Sequence, residues 1–292
     1  MGFWPLRGTV TDGHYLTYSG NYDVNRTVNA RTVTSGASPH TKGAWVEVVT
    51  SAPRSADILL IRVASVNITG SDTSTLYDIA FGQAGSERIV IENLLVGFAA
   101  TAIFAFPLRV QAGERISVRS QSVNASDGST IYFKFLQARR PWGNEVPQAS
   151  RYITYGADIS TSSGTPISNA GFADTWGPWA ELTPSTSYDH RVFITSATLA
   201  PGTAAVPGNW DEFHQLGIGA AGSECPIPEI PGFAYANTSE RLYTHYWLPW
   251  IDRLVVGWNS LRVWPAGSRL AVRKQSESST GNPTVAVVYG GV

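Results

Sequence analysis

The residues able to do chemistry are few and scattered. The five histidines are His14, His40, His190, His214 and His245. None forms a His-x-x-x-His pair, and no cysteine stands near them to complete a metal site. Ser223 lies in Gly222-Ser223-Glu224, which lacks the glycine arrangement of a nucleophile elbow. The same Ala-Gly-Ser-Glu occurs at Ala84 to Glu87, so the tetrapeptide reads as a turn with Gly85 and Gly222 supplying unusual backbone angles. A glycosidase needs only two carboxylates, and Asp211, Glu212, Asp78 and Glu47 are available. Glu47 and Glu181 occupy matching contexts, as do Glu87 and Glu224, and duplicated acids suit structural pairing better than catalysis. The expected partners are Arg109 or Arg262 and Arg119 or Arg273. No glycine-rich stretch has the Gly-Lys context of a phosphate loop. Catalytic residues, cofactors and metals are therefore expected to be none.

Aromatic residues carry more information. Phe233, Tyr235, Tyr243, Tyr246, Trp247 and Trp250 crowd one Pro-rich stretch that begins near Cys225. Such a stretch is sticky and suits a partner protein or the face of a sugar ring, and aromatics are the usual anchors of protein interfaces. Phe104 and Trp4 join these six as candidate contacts. Trp45 and Trp179 sit in matching contexts and are read as core. Cys225, the only cysteine, cannot form an intramolecular disulfide and is expected to be a buried thiol.

The elements that hold these residues are strands. Asp, Glu, Lys and Arg make up 15% of the chain, against a usual share of about 25%. Gly, Ser, Thr, Ala and aromatics fill the gap, a composition of strands and turns. A formal charge of -1 gives no electrostatic reason to expect nucleic acid or an anionic membrane as partner. The longest apolar run, Leu94 to Phe106, is too short to span a bilayer. The N-terminus lacks the pattern of a signal peptide, so a soluble protein not exported by the usual route is expected.

Strands come in two matching sets. Tyr15-Leu16-Thr17-Tyr18 returns as Tyr152-Ile153-Thr154-Tyr155, 137 residues later. Gly43-Ala44-Trp45-Val46-Glu47-Val48 returns as Gly177-Pro178-Trp179-Ala180-Glu181-Leu182 at 134, and Ile79 to Glu87 returns as Leu216 to Glu224 at 137. Leu94 to Phe98 pairs with Leu254 to Trp258 at 160, and Leu108 to Val110 with Leu261 to Val263 at 153. Ala112 through Arg119 matches Ala266 through Arg273 at 154. The jump to 160 marks an insertion at about 225–250, and the drop to 153 a shorter loop where the first copy has Thr101 to Phe104. Both places are expected to be surface loops. Alternation of period two, as in Arg115 to Ser120, gives each copy seven or eight strands with one buried face. The expectation is an all-β chain of two tandem antiparallel β-sandwich domains, jelly-roll-like, from an internal duplication. Its parts are an arm over 1–13, a first sandwich over 14–138, a linker over 139–148 and a second sandwich over 149–292.

The repeated unit, Gly-Ala-Trp-Val-Glu-Val, then Asp78 to Glu87, Asn93-Leu94-Leu95, Phe106-Pro107-Leu108 and Ala112 to Arg119, resembles a sandwich module of virion structural proteins of tailed bacteriophages. That resemblance implies a minor tail protein or capsid-attached decoration of the virion, assembled in the host cytoplasm and not an enzyme. Its partners would be other virion proteins and copies of itself. The alternative is an adhesin whose second domain recognises host surface glycans. A polysaccharide-degrading enzyme is a third reading, and it requires two carboxylates facing one groove.

Overall fold

A computed structural model describes residues 15–18, 31–52, 55–65, 74–97, 102–136, 148–200, 210–226, 234–236, 246–247, 263–277 and 284–292. The arm, the linker up to 147 and Leu254 to Trp258 fall outside the described residues. The expected all-β fold is what the chain adopts. Its first half contributes β1 (Tyr15–Tyr18), β2 (Arg31–Thr34), β3 (Val46–Val49), β4 (Ile58–Ser65), β5 (Thr75–Phe81), β6 (Arg88–Val96), β7 (Ala102–Phe106), β8 (Ile116–Ser122) and β9 (Gly128–Leu136). Its second half contributes β10 (Tyr152–Tyr155), β11 (Thr165–Ile167), β12 (Ala180–Thr183), β13 (Val192–Leu199), β14 (Trp210–Ile218), β15 (Cys225–Pro226), β16 (Ala234–Ala236), β17 (Tyr246–Trp247), β18 (Leu270–Ser276) and β19 (Thr284–Gly291).

The pairing repeats strand for strand. In the first copy β1-β9-β4-β7 form one sheet and β3-β8-β5-β6 the facing one; in the second, β10-β19-β13-β17 and β12-β18-β14-β15 do the same. In each copy the connections cross repeatedly between two facing antiparallel sheets, as from β3 to β4 to β5 and from β6 to β7 to β8 to β9, which is the topology of a jelly roll. Even an irregularity is duplicated: the ladder of β3 with β8 slips between Glu47 and Val49, and that of β12 with β18 slips between Glu181 and Thr183.

The joint between the copies is not a hinge. Strand β10 adds in parallel to β6, with Tyr152 opposite Ile91, so a sheet of nine strands runs through both halves. The Thr154 hydroxyl donates to the Glu92 carbonyl. Along β19, Val288 and Ala286 face the second copy's own core, while Val285, Val287 and Tyr289 belong to the first copy's core with Phe104, Phe106 and Leu108. Phe106 meets the rings of Tyr152 and Tyr289 edge-on at 4.8 and 5.6 Å. The Leu95 amide donates to the Tyr289 hydroxyl at 2.7 Å, and the Tyr152 hydroxyl donates to the Pro107 carbonyl at 3.1 Å. A second patch locks the far end. Ser162, fully buried, accepts from Gln121 Nε2 at 3.1 Å, lies 3.0 Å from His40 Nδ1, and its carbonyl accepts from Ser74 at 2.6 Å.

The structure corrects three expectations here. Ala102–Phe106 is no surface loop: β7 pairs with β4, and Phe104, opposite Ile61, is fully buried. Phe104 is therefore a core residue and not a partner contact. The described part of 225–250 consists of short strands, with β15 and β16 beside β14 and β17 beside β13. Finally, the bridge of His190 to Trp264 repeats that of Ala56 to Val110, so Trp264 and not Val263 takes the place of Val110.

His190 fills the site that Ala56 leaves small. Its ring is buried, with Nε2 2.7 Å from the Tyr155 hydroxyl. Burial lowers its pKa from the ordinary 6.5, outweighing the nearby Asp189 charge. The unfolded chain then takes up a proton more readily than the folded one. Stability from this site is complete above pH 6.5 and is lost as pH falls from there through the lowered folded value. Urea midpoints taken between pH 8 and pH 5 should fall less steeply in His190→Gln than in the native chain.

Candidate functional site

Each copy builds the same arginine clamp. Arg115 donates through Nε to Glu47 at 2.6 Å and through Nη1 to Glu87 at 3.2 Å and to the Gly82 carbonyl at 3.1 Å. Arg269 repeats this with Glu181 at 2.6 Å, Glu224 at 2.7 Å and the Gly219 carbonyl at 3.3 Å. The Thr50 hydroxyl and then Arg115 hold the Glu47 carboxyl below its usual range. Backbone amides, with help from Arg115 and Arg269, do the same for Glu87 and Glu224. The duplicated acids therefore have structural partners, as expected, but the partners are Arg115 and Arg269 rather than Arg109, Arg262, Arg119 or Arg273. The Ala-Gly-Ser-Glu segments are turns, with φ of 83° at Gly85 and 80° at Gly222. An L side chain rarely adopts that angle.

Where the copies part company is the outer face of the β3-β8-β5 and β12-β18-β14 sheets. In the first copy Arg119 stacks on Trp45 at 4.5 Å and pairs with the buried Asp78 at 2.8 Å. Lys42 reaches the same Asp78 at 2.8 Å and the Asn93 side chain at 2.7 Å. Burial leads in lowering the Lys42 pKa, against the pull of Asp78. In the second copy the register puts Gln215 where Asp78 stands, opposite Arg273. Arg273 lies 4.3 Å from the Trp179 ring and 5.0 Å from that of Trp176, and it donates from Nε and Nη2 to Gln215 Oε1 at 2.9 and 2.7 Å. Burial lowers its pKa, with only the more distant Glu224 opposing. The Trp179 ring packs against β14, where a Cβ at Gly217 would come within 2.6 Å of it. In the loop that precedes Trp176, Phe172 is 73% exposed. Trp45 and Trp179 are thus half-buried partners of arginines and not core residues.

Beneath that face the second copy hides charge. Glu212 and His214 on β14 and Lys274 on β18 are all buried, with Lys274 Nζ 3.2 Å from one Glu212 oxygen and His214 Nε2 3.5 Å from the other. Burial would push the Glu212 carboxyl up; His214 and Lys274 outweigh it and hold it low. Burial pulls the Lys274 pKa down against the attraction of Glu212. The pairing registers place Thr75, Tyr77 and Ser120 at these positions in the first copy. Of the carboxylates considered for glycoside hydrolysis, Asp78 and Glu212 are held by cations inside the fold and Glu47 by Arg115 nearer the surface, an arrangement suited to support.

Of the candidate contact residues, Tyr235 lies on β16 opposite Asp211, and Tyr246 and Trp247 lie on β17 opposite Thr195 and Ile194. Pairing gives Tyr246 the register position of Phe104 in the first copy. Phe233, Tyr243, Trp250 and Trp4 fall outside the described residues. Cys225 is exposed on β15, contrary to the expected buried thiol. The cluster of Trp176, Trp179 and Arg273, and the exposed Phe172 in the loop before it, were missed. Comparing the copies at the 134-residue offset, where Phe172 replaces Ser38 and Trp176 replaces Lys42, would have found them.

The strand order defines a tandem pair of jelly rolls fused through one core. No family model matches the sequence, and no curated protein is significantly similar to it. Among solved structures, the STIV MCP is 11% identical, covers 89% of this chain and 95% of its own, and has a TM-score of 0.37. The structure of Broad Bean Stain Virus matches at 11% identity over 93% and 94%, with a TM-score of 0.30. The tandem CBM22-1-CBM22-2 domain of Paenibacillus barcinonensis Xyn10C matches at 10% identity over 98% and 94%, with a TM-score of 0.25. Likenesses at these scores assign the chain neither a partner nor an activity.

Proposed function

We propose that the chain is a non-enzymatic structural component of a bacteriophage particle, a minor tail or capsid-attached protein that works through contacts with other particle proteins and copies of itself. One observation carries this reading: β13 and β19 are buried on both faces, so the two jelly rolls form a single body with no independent domain motion. A body of that kind transmits position between the surfaces it touches, which is what a particle component must do. The duplicated clamps on Arg115 and Arg269 support it, since they commit charged side chains to fixing strand ends. The resemblance of the repeated unit to virion modules points the same way. The test is quantitative mass spectrometry of purified particles together with sedimentation velocity of the isolated protein. A fixed ratio to the major particle protein, with self-association above the 31.5 kDa chain mass, is expected. Absence from particles and a monomer at every concentration would overturn it.

A further inference from the structure

We propose that the outer face of the β12-β18-β14 sheet is a binding site for an acidic saccharide, a pyranose ring bearing a carboxylate, with Trp176 supplying the platform, Trp179 holding the arginine in place and Arg273 supplying the charge. The comparison between copies is what identifies it. In the first copy the equivalent arginine is satisfied by an acid, Arg119 meeting Asp78 at 2.8 Å. In the second copy the acid has become Gln215, and no carboxylate among the described residues lies within ion-pair distance of Arg273. A half-buried guanidinium lying against two indole rings has shed part of its water and lacks the counter-charge its equivalent has, so it favours a carboxylate, whose two oxygens match its edge.

The surroundings favour a sugar as the carrier of that carboxylate. Trp179 packs against Gly217 and both indoles lie against the arginine, so their orientation is set before any ligand arrives. Preformed flat apolar surfaces beside a few planar polar groups are the makings of a small-ligand site, and the axial C–H bonds of a pyranose lie against such rings. Gln275 extends the polar edge along β18 and is tied to the Asp174 carbonyl at 2.6 Å. Phe172 stands beside the same loop, 73% exposed, where the first copy has Ser38. The two aromatic replacements and the loss of the acid all fall on one copy, and Trp176 and Gln215 both meet Arg273.

The site is independent of the structural role proposed above: a particle protein without it would still assemble. Calorimetric titration of the full chain with alginate and polygalacturonate oligosaccharides, with neutral dextran oligosaccharides and a poly-glutamate peptide as comparators, is the test. Binding to the carboxylated sugars but not to dextran is expected. Gln215→Glu restores to Arg273 the acid that Arg119 has, and it should weaken that binding by about tenfold or more while the chain keeps its melting temperature. Trp176→Ala should lose binding to a similar extent, whereas Trp45→Ala in the first copy should leave it unchanged. No binding to either acidic saccharide, equal affinity for poly-glutamate, or undiminished affinity in Gln215→Glu would each overturn the assignment.

Discussion

Phe106→Ala should destabilise the whole chain by about 3–5 kcal/mol, the range for removing a fully buried phenylalanine ring, and both sandwiches should melt earlier in one transition. The ring belongs to the first copy by sequence, yet two of its neighbours, Tyr152 and Tyr289, come from the second. Edge-on aromatic pairs add roughly 0.5–1.5 kcal/mol each beyond the area they bury, so the loss falls on the joint as well as on the first core. Tyr289 would also lose the neighbour that helps seat its hydroxyl on the Leu95 amide. Urea denaturation followed by tryptophan fluorescence and by far-ultraviolet circular dichroism gives the check. Two separated transitions, with the second unmoved, would show that the halves fold independently.

The second large effect comes from charge. Lys274→Met should cost about 3–5 kcal/mol, because it leaves the Glu212 carboxylate buried without its cation. Adding Glu212→Leu to that variant should recover most of the loss, since replacing a buried ion pair by apolar groups is often neutral or stabilising. The first copy supports this expectation: its Thr75, Tyr77 and Ser120 carry no charge at the corresponding sites, and its sheet is intact. Unfolding free energies from urea titrations of the single and double variants decide it. A double variant no more stable than Lys274→Met would mean that the charge itself, and not its isolation, matters to the fold.

Much of the architecture was legible from alternation and repetition. Tyr15 to Tyr18 and Tyr152 to Tyr155 do fall on equivalent strands, each pairing antiparallel with the last strand of its copy. Matching became unreliable where both copies have short apolar strands near Gly and Pro, since several registers then satisfy the same pattern. Phe104 was misplaced for that reason, and Trp264 lost its position to Val263 by one residue. Trp45 and Trp179 misled differently. A large ring in a repeated block suggests a core, but an arginine can cover one face and leave the ring at the surface. The fused core had a readable sign. Lys134 and Tyr132 on β9 give way to Tyr289 and Val287 on β19, and a strand without a polar face is one that nothing but protein covers. The electrostatic contrast between Asp78 and Gln215 was equally present in the letters. It acquires meaning only when the neighbouring arginines are known to occupy the same place.

The doubly covered strand β19 also governs the order of events at the ribosome. Strands β1 to β8 emerge before β9 can join them, and the first copy, even when its own strands are paired, still shows Phe106 and Leu108 at an open end. Only when Thr284 to Tyr289 leave the exit tunnel does Tyr289 arrive to close it. A nascent chain stopped short of that strand would display apolar surface from both halves at once. Quality-control machinery reads such surface as unfinished. The joint is therefore buried only after both copies have been made.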